Sequence, residues 1–162
     1  MTQPTITKDR ANRSMTVERT FNASRERVWD AWTTANLLEQ WWAPKPWVAV
    51  TKDFDFREGG HWHYFMQGPD NTKIWSWVSY DNVDPKQSFD AQDSFCDEHG
   101  NTNRQMPSTN WHNEFRDEGA ATVVRTTLTF PTLADMDKIL SMGFEDGFSM
   151  ALNNLNELIA QK

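Results

Sequence analysis

The chain has 162 residues, a single cysteine and a formal charge of −7, with 23 acidic against 16 basic side chains. That length suits one domain with a substantial core, and the acidic balance, without any run of Lys or Arg, excludes the electrostatic footprint of a nucleic-acid binder. Cys96 permits no internal disulfide, no charged and apolar leader opens the chain, and no apolar window approaches the ~20 residues of a membrane span, so a cytoplasmic protein is expected.

Residues 1–13 are polar and aperiodic and are predicted to form a flexible N-terminal tail, leaving 14–162 as a single domain. Met15, Val17, Arg19 and Phe21 alternate with Thr16, Glu18 and Thr20, the period of a first strand. Ser24 then offers an N-cap with Glu26 in the first turn, and Val28, Ala31, Trp32 and Ala35 recur at helical spacing, so a helix runs to about Thr33. Thr34 is suited to cap a second short helix with Leu37, Leu38 and Trp41 on its apolar face, until Pro44 and Pro46 stop it. Trp29, Trp32, Trp41, Trp42 and Trp47, five of the nine tryptophans, crowd this region. Such a cluster serves a dense core corner, a binding cavity or a partner surface.

Extended patterns follow over 48–56, 61–67 and 72–83, separated by Gly59-Gly60 and Gly68-Pro69-Asp70-Asn71 turns, and another covers 87–95 beyond Asp84-Pro85. After a polar excursion over 97–107, residues 110–116 and 121–130 form a hairpin around Asp117-Glu118-Gly119. Pro131-Thr132 opens a helix with Asp135 in its first turn. From Gly143 onward, Phe144, Phe148, Leu152, Leu155 and Ile159 mark one side of a longer helix. This order predicts an α+β class, with a mostly antiparallel sheet of about seven strands around a long C-terminal helix and two short helices after strand one. Gly143, Gly147 and Ala151 recur every fourth residue on that helix. The strip either packs closely on the sheet or leaves a lane for a ligand.

Several motifs together resemble one family. They are Arg19-Thr20-Phe21, Val28-Trp29-x-x-Trp32, Trp41-Trp42-Ala43-Pro44, Gly59-Gly60-x-Trp62, Met66-x-Gly68-Pro69-Asp70, Asp97-Glu98-x-Gly100-Asn101, Met106-Pro107, Phe130-Pro131 and Met142-Gly143-x-Glu145-x-Gly147-Phe148. The chain is similar in these to the bacterial proteins related to the C-terminal domain of the activator of heat-shock protein 90 ATPase, within the START-like helix-grip superfamily. The resemblance implies a START-like, birch-pollen-allergen-like fold with a cavity between sheet and long helix, and it assigns no reaction. Ala43 and Pro46 stand where many members have glycine, and Phe148 where they have tryptophan. The last leaves more room inside the grip. The 162 residues hold no counterpart of the separate N-terminal domain of the eukaryotic activator, which argues against a co-chaperone role.

Strand parity names the expected cavity lining, because alternate residues share a face. Trp62, Tyr64 and Met66 are predicted to point inward, with His61, His63, Phe65 and Gln67 outward. On the next strand both faces are partly apolar, and Trp75 and Trp77 are assigned inward. Trp111 joins them, with Asn113 and Thr126 as polar anchors, and the helix contributes Phe144, Phe148, Ala151 and Leu152. Aromatic walls with a few placed polar groups are what small-molecule pockets use, and equally what a plain core uses.

Catalytic chemistry finds little support. His61 and His63 could join His112 and Glu114 at a metal, but parity puts the first two on the outer face, so no metal and no cofactor are expected. Cys96, beside Asp97 and Glu98, reads as an ordinary thiol. Asp90 and Asp93 lie on a strand marked by Phe89, Ala91 and Phe95. An inward aspartate there could act as a general base, although solvated aspartates are the commoner case. The leading expectation is therefore a binding protein for a small apolar or aromatic molecule. The alternatives are a cyclase- or hydrolase-type enzyme on a similar ligand, and a chaperone-linked or homodimeric interaction protein, which requires part of the tryptophan cluster to be exposed.

Overall fold

In the computed structural model, which describes residues 3–160, the alternating residues of strand β2 (Ser14–Phe21) are buried on one side only. Met15, Val17, Arg19 and Phe21 make up that side. Strand β2 continues into α1 (Arg25–Thr33) and α2 (Ala35–Trp41). Five strands then follow in chain order, β3 (Val48–Asp55), β4 (His61–Gln67), β5 (Lys73–Asp84), β6 (Ser88–Phe95) and β7 (Thr109–Glu118), before β8 (Ala121–Thr129). Helices α3 (Leu133–Ser141) and α4 (Phe144–Ala160) close the chain.

One strand was not anticipated. Thr5–Asp9, expected within a flexible tail, forms β1, which pairs antiparallel with β2 from Thr5 opposite Glu18 to Asp9 opposite Ser14. The sheet accordingly has eight strands in the order β1-β2-β8-β7-β6-β5-β4-β3, every pair antiparallel. The physical reason is that β1 is an edge strand with little apolar signal: only Ile6 packs on the core. Its order comes from the ladder and from Lys8 Nζ to Glu145 Oε2 at 2.9 Å on α4, with Arg10 pairing to Asp137 on α3. Residues 1 and 2 of the expected tail lie outside the described residues.

The αα connection spans the sheet from β2 to β3 at its opposite edge, and both short helices lie on the same face as α4. The Ser24 side chain caps α1 by accepting from Arg27 N at 3.3 Å, and Thr132 caps α3 by accepting from Asp135 N at 3.0 Å. Thr34 precedes α2 without a side-chain cap. The carbonyls at the α2 terminus find a partner on α4 instead, where the buried Asn154 Nδ2 donates to Ala43 O at 3.2 Å and Trp41 O at 3.4 Å. Such bonds hold the two helices to each other at one end of the grip. Trp29 packs edge-on against Phe56, Phe89 and Phe115, and Trp32 against Trp41 and Phe115.

Gly143 has a φ of +86° at the α3 C-terminus, and its N–H donates to Leu140 O at 3.1 Å. Its glycine character therefore belongs to the turn between α3 and α4 and not to the small-residue strip.

Candidate functional site

Between the sheet and α4 lies a cavity of about 240 Å³. Strands β4 and β5 supply Tyr64, Met66, Ile74 and Ser76; β6 and β7 supply Asp93, Phe95, Thr109 and Trp111; and Trp42, Pro44, Phe144, Gly147 and Phe148 close it from the helical side. A second chamber of about 30 Å³ lies deeper, under Trp32, Trp62, Tyr80 and Phe89, with room for little more than a water molecule. Trp42, Asp93 and Trp111 line both.

The polar groups of this site are few and placed. Trp42 Nε1 donates to the Tyr64 hydroxyl at 2.9 Å, and Trp111 Nε1 donates to Asp93 Oδ2 at 3.0 Å. Burial pushes the Asp93 carboxyl up to about 6, against the lowering effect of hydrogen bonds from Trp111 and the Thr109 backbone. Burial likewise raises the phenols of Tyr64 and Tyr80, so both stay protonated at neutral pH. The arrangement is an aromatic box with one ionisable carboxylate in its wall. Asp93 reaches it because Phe89, Ala91, Asp93 and Phe95 share one face of β6. Asp90, the other candidate, faces outward and contacts Asn82 Nδ2 and His112 Nδ1.

The predicted lining divides into three groups. Tyr64, Met66, Trp111, Phe144 and Phe148 line the larger cavity, and Trp62 and Asn113 line the smaller chamber. Thr126, Ala151 and Leu152 are buried without lining either. Thr126 Oγ1 donates to Asn113 Oδ1 at 2.8 Å one layer away, while Ala151 and Leu152 sit a helical turn beyond the cavity. Trp75 and Trp77, assigned inward, are on the outer face. Antiparallel register sets them opposite Phe65 and His63, and directly opposed residues share a face. The inward positions of β5 belong to Ile74, Ser76, Val78 and Tyr80.

Ser76 and Thr109 line the cavity without having been singled out by sequence parity, whereas Asp93 was one of two aspartates expected to be able to face inward and Gly147 belonged to the strip that could leave a ligand lane. For Asp93 the apolar neighbours on β6 carried the signal, and for Ser76 it lay in the pairing of β5 with a β4 whose faces were already assigned.

Outside, Trp77 stacks on His61 with centroids 4.4 Å apart and rings 6° from parallel, and it forms the floor under the 97–101 loop. A Cβ on Gly100 would meet the Trp77 ring at 3.0 Å, and His63 Nε2 lies 3.1 Å from Asp97 O. Removing this floor in Trp77→Ala is expected to cost ~1–2 kcal/mol and to speed amide exchange in the loop. Ligand binding in the inner cavity stays as in the parent. Loss of that binding would return Trp77 to the site.

The histidines do not assemble. His61 pairs with Asp53 at 2.6 Å, His112 with Asp90, and among the described residues no group of three His, Cys, Asp or Glu side chains could hold a metal. Burial raises the Cys96 thiol to about 11, with Asp97 adding to the effect. Trp29, Trp32 and Trp41 are buried and Trp42 and Trp47 partly so, and none of the five counts as an exposed residue. No helix among the described residues is long and apolar enough to cross a membrane.

Comparisons with known proteins agree with this architecture. The family model described as Activator of Hsp90 ATPase homolog 1-like protein matches residues 22–160. Among solved structures, a protein from Arthrobacter aurescens superposes with a TM-score of 0.92 at 28% identity, covering 98% of this chain and 92% of that one. Protein Ms6760 from Mycobacterium smegmatis gives 0.90 at 29% identity over 98% of each chain. A Staphylococcus epidermidis protein gives 0.85 at 30% identity, covering 97% of this chain and 94% of that one. No protein of curated function matches the sequence. The fold family is consistent with binding of a small ligand.

Proposed function

This chain belongs to the Activator of Hsp90 ATPase homolog 1-like family, and from that premise we propose that it is a cytoplasmic binding protein enclosing a small apolar or aromatic molecule between the sheet and α4. Gly147 is the observation that carries this reading. It lies inside α4, where glycine costs roughly 0.5–1 kcal/mol relative to alanine. Nothing in the packing requires it: a Cβ there would meet only Pro44 Cγ, at an ordinary 3.8 Å. The missing side chain leaves space in the cavity wall instead. Closely packed helices show the opposite, a Cβ that has nowhere to go.

Fluorescence titration with the neutral probe N-phenyl-1-naphthylamine tests the reading. The parent protein is expected to bind it and melt at a higher temperature in its presence. Gly147→Ala should be slightly more stable, and Gly147→Leu should fold yet lose the probe because its side chain fills the cavity. An unchanged signal in Gly147→Leu, or no signal in the parent, would overturn the proposal.

A second reading, an enzyme acting on such a ligand, has one observation in its favour. Asp93 is an inward carboxylate whose pKa of about 6 suits proton transfer near neutrality. Recovery of every bound ligand chemically unchanged after long incubation would dismiss it.

A further inference from the structure

Asp93 is the one residue with a formal charge among those that line the larger cavity, and no Lys, Arg or His is among them. Asp93 is half-buried, and a carboxylate shielded from water is ordinarily paired with a cation. Here the protein supplies only neutral donors, Trp111 Nε1 at 3.0 Å and the Thr109 backbone. Asp93 takes part in no ion pair among the described residues. Around it stand aromatic rings: Trp42 and Trp111 with centroids 5.6 Å apart, and Phe144 and Phe148 at 5.8 Å and 5.3 Å from Trp111. Ring faces attract cations, more strongly when both partners are shielded from water. The same box gives an anion nothing, since it offers neither a positive charge nor a free cluster of N–H groups.

We propose that the ligand of this cavity is a small organic cation, an aromatic or aliphatic body bearing a protonated amine that ion-pairs with Asp93 inside the aromatic walls. The proposal rests on the reading of the cavity as a ligand site and adds the charge of its occupant. The amine supplies the counter-charge that the fold withholds, and the apolar body covers Met66, Phe144 and Phe148. The overall charge of −7 adds a field that draws cations and repels anions.

Three probes sharing one aromatic body separate the possibilities by calorimetric titration at neutral pH: 2-(1-naphthyl)ethylamine, 2-(1-naphthyl)ethanol and 1-naphthylacetate. The amine is expected to bind about tenfold or more tightly than the alcohol, and the carboxylate more weakly than either. In Asp93→Asn the preference for the amine over the alcohol should vanish. Amine affinity should also fall as pH is lowered through about 6, where Asp93 takes up its proton. Tyr64, the other titratable side chain in this cavity, and Tyr80 in the chamber behind it stay protonated throughout that range. Equal or tighter binding of the alcohol, or a preference for the amine that survives Asp93→Asn, would overturn the cation assignment while leaving the cavity reading intact. Binding by none of the three would overturn both.

Discussion

Replacing Trp41 with alanine is expected to lower stability by about 3–5 kcal/mol, and with it the melting temperature by roughly 6–20 °C. Trp41 is 0% exposed. Its ring packs edge-on against Trp32 at 4.9 Å and Trp42 at 5.3 Å, and its Nε1 donates to Ala31 O at 2.9 Å. Alanine there leaves a cavity at the junction of α1, α2 and α4 and an unpaired carbonyl. A loss of that size is a large share of the ~5–15 kcal/mol that holds an ordinary domain together. Trp42→Ala should behave differently, because Trp42 is only partly buried and lines both chambers. It should cost less stability and abolish ligand binding, since it removes a cavity wall and the donor to the Tyr64 hydroxyl. Paired thermal melts and probe titrations of the two variants check this. Equal stability losses would mean that the neighbouring tryptophans do not divide into a packing role and a binding role.

Asp93→Asn is expected to stabilise the protein at neutral pH by about 1–2 kcal/mol while removing its charge selectivity. Burial raises the carboxyl from its ordinary 3.8 to about 6, so between those values the native state binds more protons than the unfolded chain. Stability contributed by the neutral carboxyl is therefore present in acid, falls as pH rises from about 4 to 6, and stays lost above that. Asparagine remains neutral and keeps an acceptor for Trp111 Nε1, but its single oxygen leaves the bond from the Thr109 backbone unmatched, which offsets part of the gain. The two proteins should thus be closest near pH 4 and separate as pH rises, the variant ahead, with the gap levelling off above about 6. Denaturant unfolding of both across this range measures it, since the contributions of all other carboxylates cancel in the difference. A parent more stable than the variant at neutral pH would mean that the carboxylate is well solvated, and the cation assignment would lose its physical basis. The expected sign fits a group retained at a cost to stability.

The course of the chain was legible from local pattern. Residue alternation in β2, the Ser24 and Thr132 caps and the apolar periodicity of α4 all follow from side-chain chemistry within a few residues, so an antiparallel sheet with a long closing helix could be read directly. Strand β1 was not legible because an exposed edge strand has almost no apolar face; pairing with β2 makes it a strand. The site was legible where one face of a strand is clearly more apolar than the other. His61 to Gln67 separates into an aromatic and a polar set, and the structure keeps that division. Strand β5 carries tryptophan on one face and Ile74, Val78 and Tyr80 on the other, so composition cannot orient it; only its register against β4 turns Trp75 and Trp77 outward.

What the sequence by itself determined is the fold class, the family and the identity of the aromatic residues available to line a cavity. Tertiary structure alone decided which of them meet. The enclosure that raises the Asp93 carboxyl, and the open space beside Gly147, arise from groups distant in the chain: Asp93 and Trp111 are joined through the pairing of β6 with β7, and Gly147 faces Pro44 across the grip. Local pattern assigns a side chain to a face, but burial, pKa and empty volume depend on what lies opposite, which is set by packing between elements.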